Sequence, residues 1–144
     1  MPQIESIQAN IQTLDVSGGG TDGDVYLGVS GREFHLDTSH DDFERGSSRK
    51  YVLGDGGNVN SASINDPRKQ VLLTEDVESF PVYLRFNPQS GSDNWNLERA
   101  VVTFNNQLLP QWDTLTLVKQ NEGIWLGAHS GLFVFIPKHE DTIP

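Results

Sequence analysis

The chain has 144 residues, a length that suits one domain and leaves no room for two complete hydrophobic cores. It contains no cysteine, so disulfides, thiolate metal sites and thiol nucleophiles are excluded. Its formal net charge is −10 and its Lys and Arg residues are scattered, which disfavours direct binding to nucleic acid because phosphate neutralisation needs a basic face.

The amino-terminal segment, MPQIESIQANIQ, has neither a basic stretch nor a continuous apolar run. No stretch elsewhere approaches the roughly 20 apolar residues of a transmembrane segment. We therefore expect a soluble, cytoplasmic protein without an export signal, for which any contact with a membrane would be peripheral.

Apolar and polar residues alternate along most of the chain, which predicts half-buried β-strands. The predicted strands, in chain order, are 7–11, 25–29, 32–36, 49–53, 80–86, 97–104, 115–118, 124–127 and 132–136. No window of helical length keeps an apolar stripe at helical spacing. We therefore predict one all-β domain over residues 1–144, an antiparallel two-sheet β-sandwich of about eight strands with its core within about residues 4–137.

Segments rich in turn-forming residues separate these strands. Residues 55–70, DGGNVNSASINDPRKQ, are polar and have weak periodicity, which predicts a long surface loop within the domain. Asn105 and Asn106 predict a hairpin turn, because asparagine tolerates a positive φ angle. We expect the carboxyl-terminal tail, 138–144, to be frayed.

Residues 18–23, GGGTDG, satisfy the G-x-G-x-x-G pattern of dinucleotide-binding sites. That pattern requires the glycines to open a helix, whereas a strand follows here, so the match is accidental. No serine lies in a G-x-S-x-G elbow, and no H-E-x-x-H motif occurs. Ser39, His40 and Asp41 are neighbours that alternate in direction on an extended chain, which argues against a catalytic relay. Enzymatic activity is therefore the least favoured class of function, and we predict that the chain is not an enzyme.

Residues 1–44 carry nine Asp and Glu side chains against one base, Arg32, for a local charge of −8. A solvated acidic surface is the simplest interpretation. The alternative is calcium binding, because aspartate-bearing turns at both ends of the hairpin 25–36 would bring together the oxygen ligands that calcium prefers. The candidate carboxylates, in or beside predicted turns, are Asp22, Asp24, Asp41, Asp42 and Asp93.

The order of these segments resembles the PLAT domain, the lipoxygenase-homology (LH2) and polycystin family of β-sandwiches. The matching pieces are a strand at 7–14, GTDGDVY at 20–26, LD at 36–37, DFERGS at 42–47 and NWNLERAVV at 94–102, with a weaker match in GIWLG at 123–127. The resemblance implies a non-catalytic module that binds calcium at one end of the sandwich and docks onto membranes, lipids or partner proteins. The catalytic domain that lipases and lipoxygenases attach to this module has no counterpart in the sequence given.

Carried over to this sequence, the resemblance implies one or two calcium ions. One site would use Thr21, Asp22, His40, Asp41 and Asp42. The other would use Gly20, Asp93 and Asn94, partly through backbone carbonyls. It would be weakened by Gly18, which stands where relatives often have an acidic residue, unless Asp15 reaches in. Asp24 is interpreted as a hydrogen-bonding residue at a strand edge, and Trp95 as a core residue.

The leading hypothesis is therefore calcium-dependent association with a lipid or membrane surface. The alternative is a calcium-stabilised module that binds a partner protein, as an adaptor does, or a carbohydrate. The sequence does not separate these two functions.

Overall fold

A computed structural model describes residues 2–117 and 122–140 of the chain. This part of the chain forms ten strands and two short 3₁₀ helices. The strands are β1 (Ser6–Thr13), β2 (Asp24–Val29), β3 (Arg32–His35), β4 (Ser48–Gly54), β5 (Tyr83–Asn87), β6 (Trp95–Phe104), β7 (Gln111–Asp113), β8 (Ile124–Leu126), β9 (Phe133–Phe135) and β10 (Lys138–His139). The 3₁₀ helices are Thr74–Ser79 and Thr114–Thr116.

Two antiparallel sheets divide these strands. The first runs in the order β10-β7-β6-β1-β4, with β8 also paired to β6, and the second in the order β3-β2-β5-β9. The predicted class, an antiparallel two-sheet β-sandwich, is confirmed, with ten strands instead of about eight. No helix within the described residues is long and apolar enough to cross a membrane.

The core lies between the two sheets, because each sheet buries the apolar side of its alternating strands. The predicted inward residues of β1 and β2 are all buried, namely Ile7, Ala9, Ile11, Val25, Leu27 and Val29. Trp95, at the start of β6, is fully buried beside Phe43 and Phe86, with ring centroids 5.2 and 5.9 Å away. Its indole N–H donates to Thr13 Oγ1 at 2.9 Å. The predicted core role of Trp95 is therefore confirmed.

Two predicted strands differ from the structure, one in type and one in its first residue. The strand predicted at 115–118 is wrong, because Thr114–Thr116 form a 3₁₀ helix whose first turn is capped by the Asp113 carboxylate, which accepts from the Leu115 N–H. Residue 118 lies outside the described residues. The strand predicted from residue 80 begins only at Tyr83, because the 3₁₀ helix Thr74–Ser79 precedes it and leaves Phe80 exposed.

Two short strands escaped prediction. β7 follows Pro110, and its three residues are too few to show a period. β10 corrects the expectation of a frayed tail over 138–144, since Lys138 pairs with Trp112 and His139 with Gln111. Residues 141–144 lie outside the described residues.

Two of the predicted loops have a defined conformation in the structure. Residues 55–70 contain no strand or helix, and Arg32 holds this loop by donating to the backbone carbonyls of Ile64, Asp66 and Lys69. Asn105 and Asn106 adopt φ angles of 54° and 58°, as the predicted turn requires.

Candidate metal-binding end

Three loops come together at one end of the sandwich, and we call this region the acidic end. They are the β1–β2 loop (14–23), the β3–β4 loop (36–47) and the β5–β6 loop (88–94). They meet because β2 begins where β5 ends, with Asp24 opposite Asn87, and because β1 ends beside the start of β6. A backbone hydrogen bond from Thr21 N to the Phe43 carbonyl at 3.0 Å joins the first two loops, and one from Asn96 N to the Gly19 carbonyl at 2.9 Å ties the β1–β2 loop to the start of β6.

A polar depression at this end collects most of the predicted carboxylates. Its lining includes the predicted residues Asp22, His40, Asp41 and Asp42. The turn that precedes β2 and the turn that follows β3 are therefore brought together at the open end of the β2–β3 hairpin, as the spacing of the aspartates predicts. Carboxylates that line one depression repel one another, and a bound cation or hydrogen bonding within the site relieves that repulsion.

Asp42 is the most constrained of these carboxylates. Its Oδ2 accepts from Thr38 N at 2.8 Å, and its Oδ1 accepts from Thr38 Oγ1 at 2.7 Å and from Tyr51 Oη at 2.9 Å. Arg49 Nε lies 3.6 Å from the same Oδ1, and the Asp42 side chain is only 8% exposed. Burial and the neighbouring Asp42 charge raise the pKa of Tyr51 well above its usual range, so the phenol stays a donor. Asp42 thus fixes the shape of the β3–β4 loop.

Asp22 and Asp41 are different, because both are exposed to solvent. Neither side chain makes a hydrogen bond or ion pair to another of the described residues within the distances that define such contacts. Their oxygens are therefore the ones most available to an incoming cation.

A second depression lies beside the first and shares Asp22 with it. Its lining also includes Gly20, Thr21 and Asp93, together with Arg45. Thr21 Oγ1 donates to Asp93 Oδ1 at 2.7 Å and accepts from Gly23 N at 2.9 Å, while Gln89 N donates to Asp93 Oδ2 at 2.9 Å. The structure therefore groups Thr21 with Gly20 and Asp93, whereas the sequence grouped it with Asp41 and Asp42.

Asn94 lines neither depression. Its side chain is turned towards Gly127, where an added Cβ would lie 2.1 Å from Asn94 Oδ1. Gly18 has a φ angle of 74°, a left-handed conformation that favours glycine over an acidic residue at this position. Asp15 pairs with Arg45, Oδ1 to Nε at 2.8 Å, and so is already engaged.

Sequence reasoning left out two further residues of the first depression, Asp37 and His35. Asp37 Oδ2 accepts from Asn60 Nδ2 at 3.0 Å, which ties it to the long loop. His35 Nε2 lies 3.1 Å from Asp24 Oδ1, which confirms Asp24 as a hydrogen-bonding residue at the strand edge. Asp37 directly follows the alternating segment 32–36, and that position at a strand end was the available signal.

The donor chemistry of the acidic end suits calcium, which binds carboxylate, hydroxyl and backbone carbonyl oxygens in flexible arrangements. The geometry is not that of an assembled site: within residues 2–117 and 122–140, no group of three or more His, Asp or Glu side chains is arranged to hold a metal ion. Binding would depend on movement of the exposed Asp22 and Asp41 and on carbonyl ligands. The eight ligand assignments therefore stay a prediction.

An exposed tryptophan borders the same end. β8 pairs with the start of β6, with Trp125 opposite Asn96, and Trp125 is 42% exposed. Gly127, two residues further on, lies against the Asp93–Asn94 turn. The acidic loops are therefore flanked by a large aromatic side chain.

No protein-family model matches the chain, and no curated protein does. Among solved structures, the alpha-toxin from Clostridium absonum matches with a TM-score of 0.62 at 19% identity, over 92% of this chain and 31% of the toxin. The alpha-toxin of an avian strain of Clostridium perfringens matches with a TM-score of 0.62 at 20% identity, over 94% of this chain and 32% of the toxin. The coral 8R-lipoxygenase matches with a TM-score of 0.56 at 17% identity, over 92% of this chain and 17% of the enzyme.

These likenesses show the fold. This chain has the PLAT-like, or C2-like, β-sandwich, and it spans about a third of the toxins and about a sixth of the lipoxygenase. The coral lipoxygenase is described as activated by calcium through a C2-like domain. The family resemblance noted in the sequence is thereby confirmed at the level of fold.

Proposed function

We propose that this domain is a non-catalytic module that binds calcium at its acidic end and so attaches reversibly to a lipid or membrane surface. The observation that carries the proposal is the convergence of Asp22, Asp41 and Asp42 in one depression, with Asp93 in the depression beside it. The fold shared with a calcium-activated lipoxygenase supports it by analogy. A cytoplasmic location with peripheral attachment is part of the proposal.

Electrostatics supplies the calcium dependence. Residues 1–44 carry a formal charge of −8, and most of their acids lie in the loops of the acidic end. Without a cation this end repels anionic headgroups, whose surface potential is also negative. A divalent ion bound among the carboxylates would remove part of that repulsion and present positive charge to the lipid phosphates.

Trp125 supplies an apolar anchor in this proposal. Tryptophan favours the interface between lipid and water because its ring is apolar and its indole N–H is polar. Trp125 is exposed in β8, two residues before Gly127, which lies against the Asp93–Asn94 turn, so in this proposal the ring would meet the membrane together with the calcium loops.

Calcium titration and vesicle co-sedimentation test this function together. We expect a calorimetric calcium signal, and calcium-dependent sedimentation with vesicles containing an anionic lipid that chelator reverses. The variant Asp22→Asn with Asp41→Asn should weaken both, because these carboxylates are exposed and unpaired by the described residues. Asp55→Asn is the matched control, since Asp55 is also exposed but follows β4 at the opposite end.

The outcomes separate the steps of the proposal. Absence of any calcium heat or melting shift overturns the metal site. Calcium binding with unchanged vesicle association overturns the membrane function and favours the alternative, a calcium-stabilised module for a protein or carbohydrate partner.

A further inference from the structure

The outer face of the β3-β2-β5-β9 sheet carries two ladders of side chains that cross all four strands. The strand registers align His35, Tyr26, Arg85 and Phe133 in one ladder. They align Glu33, Gly28, Tyr83 and Phe135 in the other. We call this surface the aromatic face, defined by Tyr26, Glu33, Tyr83, Arg85, Phe133 and Phe135.

Tyr83 lies flat on the sheet. A Cβ added to Gly28 would lie 2.0 Å from Tyr83 Cε2, so the ring occupies the space that the missing side chain leaves. Tyr83 Oη donates to Glu33 Oε2 at 2.7 Å, which fixes the ring in this orientation across β2. One face of the ring therefore rests on the backbone and the other is turned towards solvent.

A planar polar group lies at the centre of the aromatic face. Arg85 donates to Glu33 through Nε and Nη2, both at 2.9 Å, and its guanidinium stacks 4.2 Å from the centre of the Tyr26 ring. Arg85 Nη1 has no partner among the described residues. Among those residues, Glu33 Oε1 accepts a hydrogen bond only from Arg85 Nη2. Both groups thus keep fixed, unused hydrogen-bonding capacity.

Phe133 and Phe135 extend the platform to the sheet edge. They are 49% and 60% exposed, their rings are nearly parallel at 11°, and Tyr83 lies 5.6 Å from Phe133. Apolar rings this exposed on an outer sheet face usually mark a binding surface. Their spacing along β9 gives an elongated platform rather than an enclosed pocket.

The charge of the aromatic face selects the kind of partner. The molecule carries −10 overall, yet Arg85 neutralises Glu33 at the centre of this face, and Asp24, hydrogen-bonded to His35, lies only at its border. A compensated face complements a neutral ligand and offers no net attraction to anionic lipid or nucleic acid. Sugar rings meet this requirement, because their C–H bonds pack on the electron-rich faces of aromatic rings while their hydroxyls bond to planar polar groups.

We propose that the aromatic face binds a neutral, extended glycan chain, with sugar rings stacked on Tyr83 and on Phe133 or Phe135, and hydroxyls bonded to Glu33 and Arg85. The site lies on a sheet face rather than in the loops of the acidic end, and it needs no metal. It therefore stands or falls independently of the calcium-dependent membrane function.

The test is an NMR titration of the whole chain with cellohexaose, xylohexaose and mannohexaose in the presence of chelator. Because the surface is open, we expect weak binding with a Kd near 1 mM, which titration to about 10 mM would saturate. Shift changes should centre on the amides of β5 and β9 for at least one of these probes. No shift changes with any probe, or changes confined to the acidic end, would overturn the proposal.

Variants locate the site and control for folding. Tyr83→Ala should weaken binding at least about tenfold, and Glu33→Gln should weaken it less, since it removes charge but keeps an amide. Leu108→Ala is the control: Leu108 is 82% exposed but lies in the β6–β7 loop, so its loss should leave binding unchanged. Equal affinity of Tyr83→Ala and the parent chain would refute the site, and so would a face that binds neutral phosphatidylcholine vesicles through Phe133 and Phe135 but none of the glycans.

Discussion

Thr21 and Asp93 are 72 residues apart in the chain and are joined by a hydrogen bond of 2.7 Å from Thr21 Oγ1 to Asp93 Oδ1. This bond links the β1–β2 loop to the β5–β6 loop. The same hydroxyl accepts from Gly23 N, so a single buried side chain organises the turn that leads into β2. The spacing of the two loops at the acidic end therefore depends on Thr21.

The first prediction concerns this bond. Thr21→Val keeps the shape of the side chain but removes the acceptor of the Gly23 N–H and the donor to Asp93 Oδ1, so we expect a loss of about 1–3 kcal/mol in the free energy of unfolding. Urea unfolding measures it. Thr103→Val is the control, because the half-buried Thr103 hydroxyl has no partner among the described residues, and equal effects of the two changes would contradict the role given to Thr21.

The second prediction separates Asp42 from Asp41. Asp42→Ala leaves Thr38 N and Tyr51 Oη without their acceptor, so we expect a loss of about 3 kcal/mol or more, whereas the exposed Asp41→Ala should change stability by less than about 0.5 kcal/mol. Denaturant unfolding of both variants checks this. A stable Asp42→Ala protein would show that the carboxylate does not fix the loop, and would leave it free as a metal ligand.

The third prediction concerns acid pH. The Arg85 hydrogen bonds, opposed by burial and aided by Tyr83, lower the pKa of the Glu33 carboxyl, and Arg68 likewise lowers the pKa of Asp66. A lowered folded-state pKa contributes stability that is present above the unfolded value, near pH 4, and is lost as the pH falls through the folded value.

Glu33→Gln should therefore flatten the acid side of a plot of unfolding free energy against pH, with its effect largest at neutral pH and vanishing once the pH lies below the lowered folded-state pKa of Glu33. Thermal melts from pH 2 to pH 7 provide the measurement. An effect of the substitution that is the same at every pH would show that the ion pair with Arg85 contributes nothing beyond packing.

The fourth prediction concerns Trp125. Trp125→Ala should reduce calcium-dependent vesicle binding by about tenfold while leaving calcium affinity unchanged, because the ring is an anchor and not a ligand. Tryptophan fluorescence offers a second readout, since insertion of the exposed indole into lipid should shift its emission to the blue. Phe80→Ala is the matched control, an exposed aromatic residue near the opposite end. A calcium affinity that falls together with vesicle binding would contradict this separation of roles.

The fold class followed from the sequence because alternation is a local property. Within a segment such as 7–11 or 25–29, the alternation of apolar and polar residues identifies the side of the strand that is buried. A strand with one apolar face must pack that face against another layer. The turn at Asn105 and Asn106 was predictable for the same reason, since positive φ is a preference of the residue itself. Three-residue strands such as β7, and the pairing that orders Lys138 and His139, have no such local signal.

For the acidic end, sequence showed which carboxylates lie in turns, and tertiary structure decided how they are used. Asp22, Asp41 and Asp42 are the same residue type in similar turns, yet Asp42 is buried against Tyr51 and engaged in hydrogen bonds, while the other two stay exposed. Thr21 and Asp93 meet only because β2 and β5 are paired. Likewise, the aromatic face depends on registers between four strands, and Gly28 has a function there only because Tyr83 lies over it. Contacts between distant residues depend on strand order and register, which are properties of the whole chain.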